Sequence, residues 1–192
     1  MRVELIEISN TWKRIKQAAF NTIGKDTDTE PSSEWKRKML LAEHSPIRKL
    51  HLSWRWHDLK SWVSVHIVRH WLGIEHFVST QRTDRTGIDR NELKQSELVK
   101  HECEANAQAI ITTSRKRLCK MASPETQEAW QAFLESFKEL EPELYSACVP
   151  DCIYRGHCFE YKTCGFHNTG SYQERLEEYR KGINQPEVKV CL

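Results

Sequence analysis

Apolar and polar positions alternate most regularly between Leu50 and His57. Leu50, Leu52, Trp54 and Trp56 fall on one side, and His51, Ser53, Arg55 and His57 on the other. Period two predicts a strand with one face against a core. A shorter alternation from Val3 to Ile8, with Val3, Leu5 and Ile8 inward and Glu4 and Glu7 outward, predicts a first strand. Elsewhere the spacing is helical. Asn10 or Thr11 caps a short basic helix through Trp12, Ile15 and Ala19. A polar loop from Asp26 to Ser33, containing Pro31, leads to a helix over Glu34–Glu43. Ser33 caps it, Trp35, Met39 and Leu40 point inward, and Ser45-Pro46 stops it. A helix beginning at Ser61 places Val65, Val68 and Leu72 on its buried face with Trp62 above them, and His66, Arg69 and His70 on the other. Asn91–Lys100 is polar and reads as a loop or short helix. Cys103–Lys120 reads as one long helix with Ala107, Ile110, Ile111 and Leu118 toward the core. Ser123-Pro124-Glu125 is a helix start: a hydroxyl cap, a proline in the first turn and a carboxylate favoured by the dipole. That helix carries Trp130, Phe133, Phe137 and Leu140 at core spacing and ends near Pro142. Ser171–Ile183 predicts an amphipathic helix (Tyr172, Leu176, Tyr179, Ile183) before a short tail. Two strands and at least five helices make an α+β domain spanning 1–192, a sheet flanked by helices.

Composition narrows the function. The 192 residues suffice for one core, and 29% charged residues with a net charge of +2 give no global field for nucleic acid. No apolar run approaches bilayer length and no basic-then-apolar leader opens the chain, so a cytoplasmic protein of a bacterial or virus-infected cell, without membrane contact, is expected. Seven cysteines, an odd number, point to free thiols or a metal rather than a disulfide framework. Seven tryptophans suit core packing, and would also wall a flat cofactor.

The chemistry-bearing stretch follows the Ser61 helix. Past Gly73 the chain is dense in hydroxyls and guanidiniums: Ser79, Thr80, Gln81, Arg82, Thr83, Arg85 and Arg90. Arginine forks bind phosphate bidentately and hydroxyls add neutral donors, which suits an anion; a solvated basic loop has the same composition. His66 and His70 stand at i, i+4, but Ile67 occupies the place where a zinc hydrolase needs glutamate, and Arg69 between them repels a cation. Cys148, Cys152, Cys158 and Cys164, with His157 and His167 nearby, lack the paired Cys-x-x-Cys knuckles of a preformed thiolate site. No metal is expected from this spacing.

Four segments resemble the flavin-dependent thymidylate synthases. Arg69-His70-Trp71 with Ser79 and Arg82 resembles the family's Arg-His-Arg triplet and its spaced Ser and Arg. His44-Ser45-Pro46 before the strand is similar to the family's His-x-Ser-Pro segment. Arg117-Leu118-x-x-x-Ala122-x-x-Glu125 resembles its Arg-Leu-x-x-x-Ala-Gln-x-Glu-Ile-Arg motif, and Pro150-x-Cys152, Gly156-x-Cys158-x-Glu160 and Cys164-Gly165 resemble a C-terminal segment of many members. Trp71, Arg48 and Gln127 depart from the pattern: the family has a basic residue, Glu and Arg there.

The resemblance implies reductive methylation of dUMP to dTMP, with methylenetetrahydrofolate giving the carbon, NADPH the reducing equivalents and FAD carrying them, in a homotetramer whose sites lie between subunits. By position it assigns Arg69, His70, His44 and Ser45 to FAD, and Ser79, Arg82, Arg117 and, more distantly, Arg155 to the nucleotide. Ser79 and His70 stand nearest the chemistry. The three departures leave open the same fold with another pyrimidine nucleotide or a hydroxymethylated product, and a non-catalytic relative that binds nucleotide or a protein partner.

Overall fold

A computed structural model describes residues 1–181. Four antiparallel strands form one sheet in the order β1-β2-β4-β3, where β1 is Arg2–Ser9, β2 His51–Lys60, β3 Ile74–Val78 and β4 Leu98–Asn106. The α+β class stands, with twice the strands expected. The long helix read from Cys103 begins as strand: Val99, His101, Cys103 and Ala105 are buried and their neighbours are not. A histidine and a cysteine carry half of that alternation, so an apolar count does not see it. The helix proper, α5, is Ala107–Arg117 and is capped by Asn106. β3, to which no element was assigned, forms the outer strand beside β4 with its five residues.

β2 sits centrally, with Leu52, Trp54 and Trp56 fully buried and Arg55 on the opposite face. There Arg55 lies directly across from Glu4 on β1 and from Glu102 on β4, and its Nε donates to Glu102 at 2.9 Å. Opposite charges in register stabilise the pairing, by a few tenths of a kcal/mol per exposed pair. A bulge between Leu5 and Glu7 explains why the inward residues of β1 run Val3, Leu5, Ile8 rather than at strict period two.

The helices α1 (Trp12–Asn21), α2 (Ser33–Leu41), α3 (Ser61–Val68) and α6 (Pro124–Phe137) pack with α5 around the buried tryptophans, the first two joined to β2 through a 3-10 turn at Ser45–Lys49. Thr11 caps α1 and Ser32, one residue before the expected Ser33, caps α2. Leu140 lies beyond the end of α6 and is exposed. The face expected for the Ser61 helix is corrected: Val63, Ser64 and Ile67 are buried, whereas Val65 and Leu72 are 51% and 74% exposed. This helix is apolar nearly all round and stops at Val68, so periodicity cannot choose its inner face. Short helices α4 (Thr83–Thr86), α7 (Pro142–Ala147) and α8 (Asp151–Arg155) and the final α9 (Gly170–Arg180) complete the described residues. Val149, Ile153, Tyr172, Leu176 and Tyr179 form a second, smaller cluster between α8 and α9. Ile183 and the tail lie outside the described residues. No helix described is long and apolar enough to cross a membrane.

Candidate functional site

Arg117, the last residue of α5, reaches the end of α3 and donates its Nε–H to His70 Nε2 at 2.7 Å. A guanidinium has no lone pair to offer, so His70 must accept: its Nε2 is bare and its proton sits on Nδ1. Burial, then the charges of Arg117 and His76, holds His70 down at about 4, so the ring is neutral at pH 7. Arg117 is itself held below the usual arginine range, by burial and then by Arg69. No carboxylate is among the groups acting on it. An exposed Arg69 and a half-buried Arg117 thus stand close enough to act on one another, with no acid among the groups acting on Arg117, an arrangement that favours an anion.

Gly73 fixes that place. It holds φ +75, and a Cβ there would meet Asn106 Nδ2 at 2.8 Å and the Ala109 Cβ at 3.2 Å. Asn106 in turn accepts from Ala109 N at 3.0 Å to cap α5, and its own N–H donates to the Gly73 carbonyl at 3.3 Å. The turn carrying Arg69 and His70 is therefore seated on the start of the helix whose end carries Arg117. Gly73→Ala is expected to cost about 2–3 kcal/mol, from the left-handed backbone and the displaced cap together. Urea unfolding of the variant checks this.

Behind His70 lies a second group. The His70 carbonyl accepts from His76 Nε2 at 2.9 Å, leaving His76 Nδ1 bare toward His101 Nε2 at 3.1 Å and Cys103 Sγ at 3.2 Å. Cys103 Sγ and His101 Nε2 are 3.3 Å apart, so the three atoms close a triangle that could also converge on one divalent cation. As it stands, the His101 N–H and the Cys103 thiol donate into the triangle. Burial keeps the thiol protonated, and burial, followed by repulsion between His101 and His76 when both would carry a proton, lowers His101 to about 4. An unfolded His101 titrates near 6.5. The unfolded chain therefore binds the extra proton first, so stability is full above pH 6.5 and is lost as pH falls through 4. The loss should reach about 3 kcal/mol. Urea unfolding between pH 7 and 4 with a chelator present should show it, and His101→Phe should flatten the slope by that amount.

The other expected site residues have different surroundings. Arg82 spends its Nε and Nη2 on Asp84, at 3.0 and 2.7 Å. Ser79 extends the β3–β4 ladder: its N–H donates to the Lys100 carbonyl and its Oγ accepts from Lys100 N at 3.0 Å. Arg155 lies over the Phe159 ring at 3.7 Å and beside Asp151 at 3.5 Å. His44 and Ser45 are exposed at the start of the 3-10 turn, next to Glu43, which Gln108 and Arg115 of α5 both grip. Of the named residues, only Arg69, His70 and Arg117 form one group by contact or charge. His76, His101 and Cys103 were not singled out from the sequence; the signal was their alternation on adjacent strands, once those strands are known.

Among solved structures, the chain is similar to the crystal structure of the flavin-dependent thymidylate synthase ThyX from Helicobacter pylori complexed with FAD and dUMP. The TM-score is 0.64 at 12% sequence identity, over 78% of this chain and 100% of that one. The fold is that of a flavin-dependent thymidylate synthase. No protein-family model and no curated protein matches the sequence. On this thymidylate synthase fold, the four-stranded sheet and α5 form the frame that holds the Arg69–His70–Arg117 group.

Proposed function

We propose that the chain is an FAD-dependent thymidylate synthase that converts dUMP to dTMP with methylenetetrahydrofolate and NADPH. The observation that carries this reading is a half-buried Arg117, bonded to a neutral His70 and lacking any acidic partner, on the fold of an enzyme that binds FAD and dUMP. Both ligands bring phosphate, and the donor set fits it: Arg69 and Arg117 offer forked N–H groups, and His70 offers Nδ1–H. Arg69 and His70, with His44 and Ser45 from the 3-10 turn, would hold FAD, which supplies the redox chemistry when bound. Arg117 would hold the nucleotide phosphate. Arg82 would join it by exchanging Asp84 for phosphate, with Ser79 at the strand end near the pyrimidine. Neutral His70 adds no third charge and keeps the Arg117 side chain aimed.

Assembly as a homotetramer belongs to the same reading. Trp71, Leu72 and Phe77 are 68%, 74% and 60% exposed beside the site, and β3 is an edge strand. Such apolar area next to an unpaired strand edge suits contact with another copy. Purified protein should gain flavin absorbance on adding FAD, and with dUMP, methylenetetrahydrofolate and NADPH should yield dTMP. Absence of any bound flavin retires the enzyme reading in favour of a binding relative.

One observation favours a second reading, in which the product or pyrimidine differs. Gln127, at the place of a family arginine, donates to the Cys119 and Ala122 carbonyls, both at 2.9 Å, and so braces the α5–α6 turn rather than a ligand. Mass analysis of the product decides: a hydroxymethylated nucleotide in place of dTMP would select it.

A further inference from the structure

Cys148, Cys152, Cys158 and Cys164 are the cysteines that cluster in the sequence, yet folding gathers a different set. Cys119, just past α5, joins Cys152 of α8 and Cys158 and Cys164 of the following loop in lining one cavity. Cys148 is buried elsewhere, against α5 near Ser114. All six cysteines among the described residues are free thiols. We propose that Cys119, Cys152, Cys158 and Cys164 hold an iron–sulfur cluster in this cavity.

Two dimensions favour a cluster over a single ion. Four sulfurs bound to one zinc at about 2.3 Å lie about 3.8 Å apart. Among the described residues, the only group of three or more ligand atoms within 4.8 Å of one another is His76, His101 and Cys103, so no three of these four thiols approach that closely. The cavity that the four thiols help to line has a volume of about 40 Å³, more than a water needs. Thiolates set around an iron–sulfide core stand further apart, because the core lies between them.

The surroundings agree with this assignment. Leu118, Met121, Phe159 and Phe166 supply an apolar lining, and of the charged residues Lys120 and Arg175 stand against Asp151 and Glu160, both of which Lys116 also neutralises. The loop is otherwise weakly tied. Residues 157–164 have no helix or strand and make no backbone–backbone hydrogen bond; side-chain contacts such as Lys116–Glu160 at 3.1 Å, Thr163–His167 at 3.2 Å and Arg155 over Phe159 at 3.7 Å hold it. A four-cysteine centre would supply the missing cross-link between this loop, α8 and the end of α5.

The test uses the full chain, purified without oxygen and treated with iron in both oxidation states and inorganic sulfide. The expected result is about four iron and four acid-labile sulfide per chain, with a paramagnetic signal on reduction. Cys119→Ser and Cys158→Ser, which alter separate segments, should each lose most of both, while Cys148→Ala keeps them. Neither readout comes from a flavin, so the outcome is independent of the proposed enzyme activity. Wild-type protein that retains no sulfide overturns the proposal, as does equal retention in Cys119→Ser and Cys158→Ser. Zinc added alone is the third arm: one tightly held zinc per chain, lost in the same two variants and blocking sulfide uptake, would replace the cluster with a mononuclear site.

Discussion

Arg117→Ala is expected to weaken dUMP binding roughly 10- to 100-fold, the loss of a charge-assisted contact worth about 1.5–3 kcal/mol. The substitution falls on the final residue of α5 and removes no core atom, so the unfolding midpoint should move little. Lysine at the same position keeps the charge but loses the fork, and should fall between wild type and alanine. A second readout separates a role in the site from a general disturbance. Two causes lead in holding His70 at about 4: burial first, then the charge of Arg117. Removing the guanidinium removes the second and leaves the first. The His70 titration followed by NMR should therefore rise, yet stay below the 6.5 of a free histidine. Nucleotide affinity unchanged in Arg117→Ala would remove Arg117 from the substrate site, whatever His70 does.

How much of this arrangement the sequence disclosed depends on what carried the signal. β2 was legible because leucine and tryptophan alternate at Leu52, Trp54 and Trp56, up to the register shift before Leu59. α6 was legible because Ser123-Pro124-Glu125 states its start and aromatic residues mark its core side. β4 was hidden for the opposite reason: His101 and Cys103 fill core positions, and the helix pattern of Ala107, Ile110 and Ile111 follows without a proline or glycine between. α3 could be recognised as a helix but not oriented, since Val65 is as apolar as Val63 and only the packing partner distinguishes them.

The site divides in the same way. Arg69, His70 and Arg117 were found through local motifs, and the fold brings His70 and Arg117 into contact across 47 positions of sequence. Three of the four cysteines that line the cavity, Cys152, Cys158 and Cys164, stood out in the sequence, but grouped with Cys148 and without paired Cys-x-x-Cys knuckles; Cys119 did not, because it lies 33 positions before Cys152 and spacing rules for metal sites weigh neighbours in sequence. A thiol brought in by tertiary structure leaves no local mark.

The largest loss of stability is expected from Trp130→Ala. Its ring is fully buried where the sheet meets α6, 6.1 Å from Trp54 and 5.2 Å from Phe133, which itself stacks on Trp54 at 3.8 Å. Emptying this place removes one member of a four-ring group that includes Trp56, and should cost about 3–5 kcal/mol. Against a total of about 5–15 kcal/mol, that is enough to lower the urea midpoint steeply. Trp130→Phe is the milder change. It keeps an aromatic ring but loses the pyrrole part of the indole together with the N–H that donates to Ser114 Oγ at 2.9 Å. Ser114 still donates to the Ile110 carbonyl at 2.8 Å, so no buried donor is stranded; the hydrogen bond accounts for about 1 kcal/mol of the cost and the smaller ring adds to it, for a total still below that of alanine. Ser114 lies on α5 one turn before Arg117. If aromatic packing is what seats this helix, Trp130→Phe should leave nucleotide affinity unchanged at a temperature where the protein stays folded. A drop in affinity there, without a matching drop in stability, would show that the Trp130–Ser114 hydrogen bond aims Arg117.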